Sequence, residues 1–366
     1  MPISYRLNDN WCYTHEFGHI FNTTKIVDGE VTNNLYAQEY RRIKGISGDR
    51  SNWNGLFKRF QGEEYSLGYF ERLGILSQLN IAYGYDAYAK ASTAVRHNRE
   101  VIDSIKGSEL RRLAVAYSLG LGVDVLDFFE DWGYTDVTDE MRLAVSHLPK
   151  ETRKIEYLHG GAYDYAGNGF TDNIQVSVIQ NINEKDKTNT LNLSVDNENL
   201  DDVLGYEIYK DGKWLGFTKT NTFTDKNIDV NKNAVYEIIA YAKDLSTADA
   251  VVINSFEPSL LTTEKVTIKL GEDFNLLDYV KAYDYKGNTL SNVEITGSVN
   301  NLEKGIYTVN YSITNNDITK SQDILVEVVS NYDYLSDLTW KSGTTQYGSI
   351  RKNNNLKLLV NQTMEL

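Results

Sequence analysis

The chain has one cysteine, Cys12, in 366 residues. An internal disulfide is therefore excluded, and stability has to come from packing or from a bound metal. Long hydrophobic runs are missing too: no stretch approaches the ~18 uninterrupted apolar residues that cross a bilayer, so the sequence predicts no transmembrane segment. The N-terminus lacks the basic region followed by an apolar run that marks a secretory signal. Positive charge is in deficit, with 37 Lys plus Arg against 51 Asp plus Glu, a net charge of −14 and an isoelectric point near 4.9. That balance repels phosphate backbones and argues against nucleic acid as the main partner. Low-complexity tracts and short fixed-period repeats are absent. With 41% hydrophobic and 24% charged residues, collagen-like and largely disordered classes are excluded.

What is present divides the chain into different materials. From Asn8 to Pro149 apolar residues recur at helical spacing, as in Leu67, Phe70, Leu73, Leu76 and Leu79, or Leu110, Leu113 and Tyr117. Later segments alternate with a period of two: Ile174, Val176 and Val178, then Leu191, Leu193 and Val195, then Ile324, Val326 and Val328. Asp211-Gly212 and Lys286-Gly287-Asn288 sit between apolar runs as hairpin signals. A glycine-rich stretch from His159 to Gly169 separates the two materials and reads as a linker, and Pro258 marks a second break. The expected organisation is a helical domain over 1–150, a linker over 151–169, β-sandwich blocks over 170–255 and 256–331, and a short final block over 332–366.

The informative segment is Trp11-Cys12-Tyr13-Thr14-His15-Glu16-Phe17-Gly18-His19. On a helix capped by Asn8, Asp9 or Asn10, residues four apart share a face, so both imidazoles can reach one ion. Glu16 lies beside that face, where it holds a metal-bound water instead of ligating. A catalytic zinc needs a third protein ligand. Gly29 is a natural helix stop, and a second helical segment, Glu30 to Ala37, folding back on the first would bring Glu30 to the histidines; Asp28 is the rival ligand. In this reading Zn2+ polarises the scissile carbonyl and Glu16 acts as general base, then general acid. Tyr83, Tyr85, Arg96 and His97 are candidates to steady the oxyanion. Asn33 and Asn34 are candidates to hydrogen-bond the ligands. Cys12 reads as a small buried hydrophobe, and His147 and His159 as solvated or packed.

The run His15-Glu16-Phe17-Gly18-His19, ten further residues, then Gly29-Glu30-Val31-Thr32-Asn33-Asn34-Leu35-Tyr36 resembles the active-site signature of the enhancin-like, mucin-degrading gluzincin zinc metallopeptidases. Tyr69-Phe70-Glu71 and Asp127 to Gly133 extend the likeness to about residue 150. The resemblance implies zinc ligands at His15, His19 and Glu30, a catalytic base at Glu16, and a multidomain protein: the mainly α-helical C-terminal part of a gluzincin domain followed by β-sandwich modules. Residues 170–255 look like a fibronectin type III-like module, 256–331 like a bacterial Ig-like module with Gly305 to Tyr311 as its recurring strand, and Tyr334 to Trp340 like the opening of a galactose-binding-like, carbohydrate-associated module.

It further implies an endopeptidase cleaving O-glycosylated mucin-type glycoproteins, with glycans held through β modules, secreted from or attached to a bacterial cell. Fourteen residues precede His15, where the family carries a β-rich subdomain, so the expectation is an internal fragment of a longer exported enzyme. Two competing readings are a glycan-binding or surface-spacing protein with a truncated, inactive metal site, and a gluzincin exopeptidase.

Overall fold

The helical periodicity of the first part of the chain and the alternation of the second each build the element they predict. The computed structural model describes residues 11–46, 49–170, 174–196 and 199–330. The helices among them are α1 (Trp11–Phe21), α2 (Gly29–Ile43), α3 (Trp53–Phe57), α4 (Tyr69–Tyr83), α5 (Ala87–His97), α6 (Arg99–Ser104), α7 (Glu109–Leu121), α8 (Leu126–Asp131) and α9 (Asp139–Val145). At the centre stands α4, whose Leu73, Ile75, Leu76 and Leu79 are completely buried. Such a helix, apolar on most of its circumference, is surrounded by others. Leu113 and Tyr117 of α7 join the same core.

The strands begin with β1 (Val176–Asn183), β2 (Thr188–Val195), β3 (Val203–Lys210), β4 (Lys213–Thr218), β5 (Thr222–Asp225), β6 (Val235–Ala242) and β7 (Val251–Asn254). They form a three-stranded sheet in the order β1-β2-β5 and a four-stranded sheet in the order β4-β3-β6-β7. Asp211 and Gly212, at φ 51° and 72°, make the tight β3–β4 turn that pairs Lys210 with Lys213. Between the sheets lie Leu191, Leu193, Ile208, Tyr236 and Ile238.

The segment 151–169, expected as a linker, is packed. Ile155, Tyr157, Leu158 and Ala162 are buried, and Gln78 of α4 donates to the carbonyls of Glu156 and Leu158 at 2.7 and 2.9 Å. Tyr157 lies flat on Phe217 of β4, with centroids 3.9 Å apart. The reason is the apolar residues just before the glycines, which enter the core. One compact unit accordingly runs to Ser259, with 283–289 and 314–320.

The second unit comprises Leu260–Ala282, Leu290–Ile313 and residues from Ser321 on. The remaining strands are β8 (Ser259–Thr262), β9 (Lys265–Lys269), β10 (Val280–Tyr283), β11 (Thr289–Leu290), β12 (Glu294–Thr296), β13 (Gly305–Asn315) and β14 (Ile318–Val329). They are ordered β12-β13-β14-β9 and β11-β10-β8, over a core that includes Ile268, Val309, Tyr311, Val326 and Val328. The expected final block, 332–366, lies outside the described residues.

Candidate metal centre

Buried Trp11 anchors the start of α1; Asn8, Asp9 and Asn10, the expected caps, lie outside the described residues. His15 and His19, one turn apart, set their rings at right angles with centroids 5.0 Å apart. The helix stops at Phe21, eight residues before Gly29. Gly29 therefore does not terminate it. Instead Gly29, at φ +35°, opens α2, which continues past Ala37 to Ile43. The intervening loop is held from outside: Ile26 is completely buried, Arg112 donates to the carbonyl of Lys25 at 3.1 Å, and the Tyr88 hydroxyl to Asn22 at 3.2 Å.

Glu30, in the first turn of α2, meets the histidines. Its Oε2 lies 2.9 Å from His15 Nε2 and its Oε1 3.6 Å from His19 Nε2. One ligand atom from each of the three residues falls within 4.8 Å of the others. Two amides orient them. Asn34 Nδ2 donates to the Glu30 carbonyl at 2.5 Å, so its Oδ1, 2.6 Å from His15 Nδ1, must accept. The proton of His15 is thereby held on Nδ1, and the lone pair of Nε2 faces Glu30. Asn33 Nδ2 lies 2.8 Å from His19 Nε2 and 3.0 and 3.2 Å from Nε2 and Nδ1 of His15, against the ring. Nε2 of both histidines borders one region, which a carboxylate also lines. That donor set and convergence fit a zinc ion, with room for a further ligand on the solvent side, since His19 and Glu30 are exposed.

Glu16 is exposed next to this cluster and stays off the ligand face. Asp28, the rival ligand, is turned inward: its carboxylate accepts from Arg72 and from the Tyr134 hydroxyl, each at 2.6 Å. Three of the four expected oxyanion candidates have partners elsewhere. Tyr83 donates to Glu151, Tyr85 accepts from the Asp164 backbone at 2.9 Å and carries the Arg42 guanidinium over its ring, Arg96 donates to Thr93 at 2.9 Å, and His97 is exposed at the end of α5. Cys12 is exposed, not buried, because it lies off the face that Trp11 and Gly18 press inward. Arg72 and Tyr134 were not legible as partners of this region. Their positions, 42 and 104 residues beyond Glu30, carry no local signal.

Residues 3–133 match the family model for peptidase M60, enhancin and enhancin-like, and residues 258–325 that for the Ig-like domain of bacterial surface proteins. Among solved structures, the M60 catalytic domain with the CBM51-1 and CBM51-2 domains of Clostridium perfringens ZmpB is 30% identical over 94% of this chain and 37% of that one, with a TM-score of 0.59. The catalytic module of the metalloprotease ZmpA from the same organism is 27% identical over 68% of this chain and 49% of that one, TM-score 0.56. The ZmpC M60 catalytic domain, solved in complex with the sialyl T antigen, is 28% identical over 66% and 50%, TM-score 0.53. This chain thus spans between 37% and 50% of the length of these structures. No curated protein matches it. Its helical part, with the histidine pair and Glu30, belongs to the peptidase M60, enhancin and enhancin-like family, and a bacterial surface Ig-like module follows it.

Proposed function

We propose that the chain belongs to a zinc-dependent endopeptidase of gluzincin type that hydrolyses peptide bonds in O-glycosylated, mucin-type glycoproteins. The observation that carries this reading is the convergence of His15, His19 and Glu30 within 4.8 Å beside a solvent-facing Glu16. His15, His19 and Glu30 would hold the ion, which when bound would supply a Lewis acid for the scissile carbonyl and lower the pKa of water toward ~7. Glu16 accepts the proton released by the attacking water and delivers it to the leaving amine. Asn34 keeps His15 in the tautomer that ligates through Nε2.

Substrate class rests on kinship: the similar ZmpC domain was solved with a glycan, and the similar ZmpB chain carries CBM51 domains. In the same reading the β blocks are accessory modules that engage glycans, 170–255 being fibronectin type III-like on its three-plus-four strand arrangement, and the protein works outside a bacterial cell, secreted or attached to its surface. Among the described residues no helix is long and apolar enough to cross a membrane.

The test is to measure zinc in the purified chain and incubate it with an O-glycosylated protein before and after enzymatic removal of the glycans. Cleavage that depends on the glycan and disappears in Glu16→Ala while zinc is retained supports the proposal. Zinc without turnover leaves a binding module, and cleavage that depends on a free terminal amine indicates an exopeptidase.

A further inference from the structure

Two residues before Glu30, the chain turns into α2 over a buried carboxylate. Asp28 is 5% exposed. Its carbonyl accepts from the amides of Val31 and Thr32, at 2.7 and 3.3 Å, and so starts the helix. An aspartate at this position usually folds its side chain back onto the first free amides. Here it makes no such cap. Oδ1 accepts from Arg72 of α4 and Oδ2 from Tyr134, which lies just beyond α8, both at 2.6 Å. Tyr134 is itself buried and packs edge-on against Phe129 of α8. Three elements distant in sequence therefore meet at one carboxylate.

A buried ion pair is costly to desolvate and is weak as a source of stability, so stability alone does not explain its placement. Its nearness in the chain to Glu30 does. Glu30 is half exposed, and a surface carboxylate has rotamer freedom of its own, so the backbone must bring it close to the histidines. Gly29, at φ +35°, makes the bend between Asp28 and Glu30. Clamping Asp28 from two sides sets the point from which that bend departs.

The geometry points to Asp28, Arg72 and Tyr134 as positioning residues: a buried brace that fixes the start of α2 and thereby presents the Glu30 carboxylate to His15 and His19. This inference rests on the metal-centre reading above. It is tested on the full 366-residue chain by comparing the parent with Tyr134→Phe, Arg72→Met, Arg72→Lys and Asp28→Asn. Three quantities are read: Zn2+ affinity by chelator competition, the visible absorption of the Co2+-substituted protein, and the melting temperature without metal. Tyr134→Phe removes one hydroxyl and retains the ring, so it remains informative where Asp28→Asn or Arg72→Met does not fold.

The expected result is a loss of Zn2+ affinity of about 10-fold or more in Tyr134→Phe and Arg72→Met, within the range produced by removing outer partners of metal ligands. An altered Co2+ spectrum accompanies it, and Arg72→Lys recovers part of both. Variants that melt earlier yet bind Zn2+ and Co2+ like the parent overturn the inference, because the brace is then structural alone. A parent that binds no Zn2+ overturns the metal-centre reading and the brace with it, so the two failures are told apart by the parent.

Discussion

At Gly18 the absence of a side chain is a condition for the site. A Cβ built there would lie 2.5 Å from the carbonyl oxygen of Asn33 and 2.8 Å from its Cα, backbone atoms that cannot swing away. The contact lets α1 approach α2 closely enough for Asn33 to reach both imidazoles. Gly18→Ala gains about 1 kcal/mol of helix propensity, but overpacking costs about 1–3 kcal/mol. A net loss of stability by urea unfolding is expected, together with weaker zinc binding. Asn34→Ala leaves the His15 tautomer unset and should lower zinc affinity about 10- to 100-fold by chelator competition, with little change in melting temperature. The histidine spacing was legible because it depends on local helical geometry, and Glu30 because a carboxylate in the first turn of the next helix can be folded back onto that face. Gly18 stood in the motif as an unmarked position, and Asp28 looked like a ligand, because their roles are set by residues that reach them through the fold.

Among elements, the segment after α9 shows how polar groups enter a tightly packed body. Burial opposes the charge of Glu151, yet its carboxylate accepts from the Arg153 guanidinium, from Tyr83 of α4 and from the Arg153 amide, which together bring its pKa down to about 2. Since this lies below the unfolded value of about 4.3, the stabilisation is complete above that value and is lost as pH falls toward 2. Arg153→Met should raise the Glu151 pKa and cost about 1 kcal/mol at pH 6, a modest figure because Arg153 is half exposed. Urea unfolding at pH 6 and pH 3 checks this: the difference between parent and variant should shrink in acid. The period-two runs foretold β1, β2 and β14, and the Asp-Gly pair foretold the β3–β4 turn. Where α1 ends was less visible. The loop after it is stabilised by Arg112 and Tyr88 from other helices, and glycine is as suited to opening a helix at positive φ as to closing one.

On the scale of the whole molecule, the helices and the first β block share a core. Phe217 of β4 contacts Phe57, Phe60 and Tyr157 from the helical side and Tyr241 from the sheet. Nearby, the buried Glu207 accepts from the hydroxyls of Tyr157 and Tyr241, at 2.7 and 2.9 Å. Phe217→Ala should cost about 3–5 kcal/mol. In calorimetry it should lower one cooperative transition in which helical and β signals melt together. His159 joins the same seam: the Gly161 amide donates to its Nδ1 at 3.0 Å, so Nε2 carries the proton and donates to the Leu204 carbonyl at 3.0 Å. Burial holds its pKa below the ordinary value. The neutral form is thus favoured in the native state, and stability present above about pH 6.5 is lost as pH falls through the depressed native value. His159→Gln should flatten the fall in melting temperature between pH 7 and pH 5 relative to the parent. Helical and β fold classes were readable from periodicity; their fusion was not, because glycine-rich composition signals a joint and says nothing of the tyrosine and leucine that dock beside it.

That fusion dictates where gene rearrangement can trade modules. A crossover within codons 160–169, the seam suggested by the glycines, would leave Tyr157 and Phe60 without the strand they rest on and yield an insoluble product. A crossover beyond Ser259 keeps Phe217 with its partners and the buried Phe256 with its strand, so downstream cassettes are better exchanged there.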